Sequence, residues 1–170
     1  MTPIPPPEPP PPLRIPDWPL PEYRYVPGLH PHPFRHPSGH SYTDGSAPDH
    51  PSWSPDTPWK SDRAYLRGMD LFDQRYFWES HELWEGVWQQ MPRDSTYALL
   101  LQSLIQSGAY CLKVHVNDHV IADRLLARVS QRLALVITRE GPVYRGLHLP
   151  TLMDRLRAFP TEGSWPTLHA

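Results

Sequence analysis

The chain has 170 residues, a formal net charge of −2, 39% hydrophobic residues and a single cysteine, Cys111. This length fits one domain, and one cysteine excludes an internal disulfide and a multi-cysteine zinc site. Within residues 61–170 twelve acidic side chains balance twelve Lys and Arg side chains, which argues against a protein that binds nucleic acid through a concentrated basic face.

The first 60 residues form two segments of different composition. Nineteen of the 24 prolines lie here, which leaves five for residues 61–170. Residues 1–21 are dominated by proline runs, which are extended, solvated and unable to build a core, so we predict a disordered tail that buries nothing. Residues 22–60 combine six aromatic side chains with five of the ten histidines, more aromatics than an ordinary disordered linker has. We predict an irregular arm that packs those aromatics onto the body of the protein.

No targeting or membrane segment is evident in the sequence. The N-terminus lacks the basic start and the apolar stretch of a secretory signal. The longest apolar stretches, 98–101 and 133–137, are far shorter than the roughly 20 residues of a membrane helix. We therefore expect a cytoplasmic protein with no membrane partner.

From Ser61 onward the apolar residues recur at helical spacing. Ser61 is a suitable N-cap for the first helix, and Asn117 or Asp118 for the fourth, while Pro92 and Pro160 are expected to stop the second and fifth helices. Five helices are predicted, over about residues 61–76, 77–91, 95–115, 118–140 and 150–159. Short connections favour antiparallel neighbours, so we predict an all-α fold, a small antiparallel helical bundle over residues 61–160 with a C-terminal tail at 161–170.

The second predicted helix carries a histidine and a carboxylate one turn apart. At about 100° per residue, His81 lies inside the apolar stripe of this helix and Glu85 at its edge, whereas Glu82 and Glu79 lie progressively further towards solvent. Because side chains at i and i+4 stand one above the other, His81 and Glu85 can converge on one point. Two interpretations follow: the pair binds a divalent metal ion such as Zn, Mn, Fe or Ni, with Glu82 as a weaker candidate ligand, or it is a hydrogen-bonded pair that satisfies a buried histidine.

This segment resembles the bacterial and archaeal family known as domain of unknown function 309. The hallmark of the family is His, three residues, Glu, two residues, then Trp or Tyr, and His81, Glu85 and Trp88 match all three positions. The next helix, 101–106 with Lys113 further on, is similar to the second block of the family. The resemblance covers about residues 64–137. It implies an all-α bundle, no established activity, and metal binding by the His/Glu motif.

Further donors are needed, because a metal ion held firmly requires more than two protein ligands. Gln102, Gln106 and Lys113 form a polar strip on the apolar third helix, and we expect this strip to face His81 and Glu85, since polar groups in a core need partners. Lys113 would attract Glu85 but repel a cation, which fits a metal-free network or a pocket for an anionic ligand at least as well. The arm offers further imidazoles, which are otherwise the ordinary composition of a His-rich loop: His30, His32, His36 and His40.

The sequence therefore predicts a helical domain with one polar pocket that binds a divalent metal ion or a small polar ligand. The candidate ligand-binding residues are Gln102, Gln106, Lys113 and Trp88. If the domain is catalytic, metal-assisted hydrolysis with Glu82 or Glu85 as base is the simplest reaction. The alternative is a non-enzymatic interaction module, in which the bundle and the arm bind a protein partner and His81–Glu85 is structural.

Overall fold

The computed structural model describes residues 1–44 and 51–169 of the chain. Five helices form a bundle, Arg63–Asp73 (α1), Phe77–Trp88 (α2), Thr96–His115 (α3), His119–Glu140 (α4) and Leu149–Glu162 (α5). A two-residue antiparallel hairpin joins α4 to α5, with Val143–Tyr144 (β1) paired to Leu147–His148 (β2). The prediction of an all-α bundle of five helices is confirmed. Within the described ranges no helix combines the length and the apolar character that a membrane span requires.

The α1, α2 and α3 helices cross at close range because glycines lie at the crossings. A Cβ atom on Gly68 of α1 would lie 2.1 Å from Nε1 of Trp84, the fully buried tryptophan of α2. A Cβ atom on Gly108 of α3 would lie 2.8 Å from the carbonyl oxygen of Phe77. Since α3 packs on α2 and α4, these contacts fix how α2 is rotated in the bundle, and α2 carries the candidate site.

Four helix ends lie two or three residues from the prediction, namely both ends of α1 and the last residues of α2 and α5. The start of α1 and the end of α5 have identifiable reasons. Ser61 lies in a single 3-10 turn, and Asp62 is the N-cap of α1, with its carboxylate accepting from the Tyr65 backbone N–H at 3.0 Å. Pro160 lies inside α5 and does not end it. Proline has no N–H for the carbonyl four residues earlier, but the Tyr110 hydroxyl of α3 donates to that Leu156 oxygen at 2.8 Å. The helix therefore continues to Glu162.

The Pro-rich segment 1–21 lies against α1, which differs from the expectation of a tail that buries nothing. Ile4 and Ile15 are buried. The backbone N–H groups of Arg14 and Ile15 donate to the two carboxylate oxygens of Asp70 on α1, at 2.9 and 2.8 Å. Asp70 is itself almost completely buried, so this segment covers polar groups of the helix.

The proline carbonyls of this segment receive hydrogen bonds from side chains of α1 and of the turn after it. A proline run has free carbonyl oxygens and no N–H donors, so it needs donors from elsewhere where it packs. Arg67 donates to the Pro19 oxygen at 2.6 Å and Gln74 to the Pro11 oxygen at 2.7 Å. The contacts are thus complementary in hydrogen bonding, although the segment has no helix or strand.

The aromatic arm also packs on the bundle, in the part of it that the structure describes. The rings of Tyr25, His32 and Phe34 surround Trp78 of α2, with centroid distances of 5.0, 5.4 and 5.2 Å. Residues 45–50, which include His50, lie outside the described residues. The arm therefore covers the face of α2 that a helical wheel assigns to solvent.

The last residues return to the bundle as well. Trp165 stacks on Phe77 at 5.6 Å and contacts Phe159 at 4.6 Å between ring centroids. Leu168 is buried, and its backbone N–H donates to the Asp73 carboxylate of α1. Both ends of the chain are therefore bound to buried carboxylates of α1.

Candidate functional site

Three donor side chains meet on α2. His81 Nε2 lies 3.4 Å from Glu85 Oε2 and 3.9 Å from Glu82 Oε1. One donor atom from each of the three residues can be chosen so that all lie within 4.8 Å of one another. The side chains of His81 and Glu82 are 28% exposed and that of Glu85 is 39% exposed. The cluster is therefore half-buried and open on one side.

The rotation of α2 places this cluster at the flank of the helix. Trp84 points into the core and is fully buried. At about 100° per residue, His81, Glu85 and Glu82 lie about 60°, 100° and 160° around the helix from Trp84. His81 is thus the innermost of the three, and the backbone of Ile105 on α3 contributes to its electrostatic environment.

Burial sets the protonation of the imidazole. Desolvation lowers the pKa of His81, and the Glu85 carboxylate and the backbone of Ile105 oppose that shift only partly. Neutral imidazole, the form that binds a metal ion, is thereby favoured at neutral pH.

The pKa of the neighbouring Glu82 carboxyl group is shifted upward, opposite to that of His81. Burial, followed by repulsion from Glu85, raises the pKa of Glu82 to about 7, with Arg35 opposing and Glu79 adding to the shift. Two carboxylates that share a half-buried site repel each other. Glu82 therefore holds a proton for much of the time near neutrality, and a cation bound here would displace it.

The family comparison covers this cluster. The model of the family described as Domain of unknown function (DUF309) matches residues 65–125. Over these residues the chain is similar to DUF309 domains. The match runs from α1 into α4 and includes His81, Glu82 and Glu85, so the resemblance inferred from the His/Glu/Trp motif is confirmed. No curated protein and no solved structure matches the chain.

The structure places Glu82 differently from the position that the helical wheel predicts. The helical wheel put it further towards solvent than Glu85, yet its side chain is the less exposed of the two. The arm reduces the exposure of Glu82, because Phe34 and Tyr42 of the arm line a cavity together with Glu82. Glu82 is therefore as good a candidate ligand as Glu85.

The polar strip of α3 makes other contacts than the predicted ones. Gln106 accepts a hydrogen bond from Arg132 of α4 at 2.7 Å. Lys113 Nζ lies 2.8 Å from Asp118 Oδ2. The charge of Lys113 is therefore paired with Asp118 and not with Glu85, as had been expected. Gln102 is half-buried on the same helix.

Trp88 and the arm histidines also have partners of their own. The Trp88 ring stacks under the Arg93 guanidinium at 3.6 Å. Backbone N–H groups nearby in the arm donate to the Nδ1 atoms of three histidines, His30, His32 and His36. The fourth, His40, places Nε2 3.0 Å from Glu79 Oε1. In residues 1–44 and 51–169 the group with metal-binding geometry is His81, Glu82 and Glu85, so the structure does not bring the arm imidazoles to it.

Glu79 is the residue that sequence reasoning missed. The wheel placed it furthest towards solvent, but its side chain is 5% exposed. Its Oε1 atom accepts from the Tyr25 backbone N–H at 2.9 Å and contacts His40. The available signal was the aromatic composition of the arm, which predicts a covered face without saying which helix face is covered.

Replacing Glu82 by glutamine is expected to stabilise the metal-free protein at alkaline pH by about 1–3 kcal/mol. The pKa of Glu82 is about 7 in the folded state against 4.5 for the unperturbed group. Below the unfolded value both states hold the proton and the substitution has little effect. As pH rises through the folded value, wild type loses stability that Glu82→Gln keeps.

Urea denaturation in EDTA at pH 4, 6 and 8 measures this effect. The exposed Glu140→Gln on α4 is the matched control, and it should show no comparable pH-dependent gain. A difference between Glu82→Gln and wild type that is the same at all three pH values contradicts the prediction.

Proposed function

We propose that the DUF309-like domain of this chain binds a divalent metal ion through His81, Glu82 and Glu85. The proposal rests on one observation, the convergence of one imidazole nitrogen and two carboxylate oxygens within 4.8 Å. Ligand atoms about 2.0–2.2 Å from a tetrahedral ion are about 3.3–3.6 Å apart, and the His81 Nε2 to Glu85 Oε2 distance is 3.4 Å. The His81–Glu85 pair therefore already has the spacing of two ligands, while Glu82 Oε1, 3.9 Å from His81 Nε2, would have to move closer.

The chemistry of the donors supports a transition-metal ion. One nitrogen and two oxygens without sulfur suit Zn, Mn, Fe or Ni. A bound cation would also remove the repulsion between Glu82 and Glu85 that raises the pKa of Glu82. Because the cluster is open on one side, the remaining coordination positions would take water or a small polar ligand. The proposal places the domain in the cytoplasm, where a free thiol such as the buried Cys111 stays reduced.

A thermal-shift titration of the untagged protein with Zn, Mn, Fe and Ni tests this function. At least one metal is expected to raise the melting temperature, because the unfolded chain does not hold the three groups together; saturation at about 100 times the Kd corresponds to about 2.7 kcal/mol. The shift should be larger at pH 8 than at pH 6, since the pKa of Glu82 is about 7 and its proton competes with the metal.

Variants of the cluster identify the ligands. His81→Ala and Glu85→Gln should each abolish the metal-dependent shift, whereas His119→Ala, which changes an exposed histidine at the start of α4, should keep it. A shift that survives both cluster variants and disappears when the arm is removed would assign the metal to His30, His32, His36 and His40. Absence of any shift would reject the metal site and favour the interaction module, in which His81–Glu85 is structural.

A further inference from the structure

A cavity lies between the arm and α2, beside the cluster of His81, Glu82 and Glu85. It has a volume of about 420 Å³, within the size range of small-molecule sites. Three aromatic residues line it, Phe34, Tyr42 and Trp78, together with the two carboxylate residues Glu79 and Glu82. We propose that this cavity binds an organic ammonium ion, with the aromatic rings around the charge and the carboxylates as its counter-ions.

The aromatic part of the wall is suited to a cation. Trp78 and Phe34 lie with ring centroids 5.2 Å apart and planes inclined at 56°, so the two rings present different faces. Tyr42 of the arm also lines the cavity and is partly exposed. Several aromatic rings around one small space are the arrangement that recognises quaternary ammonium groups through cation–π attraction.

Glu79 supplies a buried negative charge that the protein leaves incompletely paired. Its Oε1 atom contacts the Tyr25 backbone N–H and His40 Nε2, while Oε2 is buried and has no hydrogen-bond partner among the described residues. The other ring nitrogen of His40, Nδ1, lies 2.8 Å from the Ser41 hydroxyl oxygen, so His40 divides its polar contacts between Ser41 and Glu79. Both contacts of the Glu79 carboxylate therefore fall on Oε1, and among the described residues Oε2 is left without a donor.

An uncompensated buried carboxylate is unfavourable unless a cation approaches it. The exposed Arg35 of the arm influences Glu82 from a distance, but it is not part of the cavity wall. The rest of the wall combines the polar side chains of His40, Ser41 and Thr43 with the apolar side chains of Pro21 and Leu83. Among the described residues the donors with metal-binding geometry are those of His81, Glu82 and Glu85, and of these only Glu82 lines the cavity. The combination of apolar, aromatic and acidic groups favours a cation that carries methyl or methylene groups.

Isothermal titration calorimetry with choline, in EDTA, tests the proposal on the full chain. The comparison compound is 3,3-dimethylbutan-1-ol, which has nearly the shape of choline without its charge. Choline is expected to bind at least about tenfold more tightly than the alcohol. Equal affinities, or no binding of choline at millimolar concentration, would overturn the proposal.

Variants assign the binding to this cavity. Trp78→Leu and Glu79→Gln should each weaken choline binding about tenfold or more, and Glu140→Gln on the exposed face of α4 should leave it unchanged. Trp78 and Glu79 also contact the arm, so their replacement could destabilise the fold. Tyr42→Ala changes a partly exposed residue of the same cavity and should weaken choline binding without lowering the melting temperature. Unchanged affinity in Tyr42→Ala and Trp78→Leu would refute the assignment.

The two proposed sites can fail independently. They share Glu82 but not His81 or Trp78. His81→Ala should lose the metal-dependent thermal shift and keep choline binding. Trp78→Leu should lose choline binding and keep the metal-dependent thermal shift. Loss of both activities in both variants would show that neither site is separate from the fold and would overturn the cavity assignment.

Discussion

Replacing Arg14 by alanine is expected to lower the free energy of unfolding by about 3–5 kcal/mol. The Arg14 guanidinium lies 3.1 Å from Asp70 Oδ1 and 2.9 Å from Asp73 Oδ2, and both carboxylates are almost completely buried. Without the guanidinium, both buried carboxylates would lose the cation that they share, and Arg67 would remain as a nearby positive charge for Asp70. Burial already raises the pKa of Asp73 even with Arg14 present. Urea denaturation at pH 7 measures the loss.

Arg63→Ala is the matched control for this prediction. Arg63 also joins the N-terminal segment to α1, through Asp17 at 2.8 Å, but the two side chains are 57% and 66% exposed. An exposed ion pair contributes about 0–1 kcal/mol, so this variant should be nearly as stable as wild type. Equal small losses for both arginines would show that Arg14 does not neutralise buried charge.

The same reasoning sets the effect of pH and of truncation. The loss in Arg14→Ala should shrink as pH falls, because protonated carboxyl groups no longer need a cation and the pKa of Asp73 is already raised. Deleting residues 1–21 should lower stability at least as much as Arg14→Ala, since Ile4 and Ile15 would be lost as well. A truncated protein as stable as wild type would contradict the packing of this segment.

The helices could be predicted because their signals are local. Ser95 accepts from the Ala98 backbone N–H at 3.1 Å, as expected of a serine before an apolar helix. The continuation of α5 through Pro160 could not be predicted in this way, because the hydroxyl that replaces the missing donor belongs to Tyr110, fifty residues earlier. Periodicity describes one helix at a time and carries no information about donors on another.

The path of the first 21 residues is another non-local property. Composition describes the proline run correctly as unable to form a core of its own. It does not show that Arg67 and Gln74 supply donors to its carbonyl oxygens. The available signal lay in α1, where Asp70 and Asp73 occur on a helix face that is buried and must have partners.

The candidate site could be predicted only where its geometry is local to one helix. The convergence of His81 and Glu85 follows from helical geometry alone, and the structure places them 3.4 Å apart. The burial of Glu82 and Glu79 depends on the arm, which the wheel does not include. Lys113 pairs with Asp118 across the end of α3, a local alternative that competes with any more distant carboxylate.

Replacing Asp62 by alanine is the second change with a large expected effect. Asp62 Oδ1 accepts from the Tyr65 backbone N–H at 3.0 Å, and Oδ2 accepts from the Tyr97 hydroxyl at 2.8 Å and from Arg145 at 3.1 Å. One carboxylate thus joins α1, α3 and the turn of the hairpin. All of these groups are largely buried, and burial together with the charge of Asp62 raises the pKa of Tyr97, so its hydroxyl remains a donor.

Asp62→Ala should lower the free energy of unfolding by about 3–5 kcal/mol, because it removes an N-cap, worth about 0.5–2 kcal/mol, and leaves Arg145 without its buried counter-ion. Asp62→Asn keeps an oxygen for the Tyr65 N–H and loses the charge, so it should fall between alanine and wild type. Ser61→Ala is the sharpest control, since sequence periodicity alone would make Ser61 the cap, whereas the structure puts it in the preceding 3-10 turn. Its effect should stay within about 0.5 kcal/mol. Urea denaturation of the three variants measures these changes in the free energy of unfolding. A loss in Ser61→Ala as large as that in Asp62→Ala would show that Ser61 is the N-cap and that the buried Asp62 carboxylate does not join the helices.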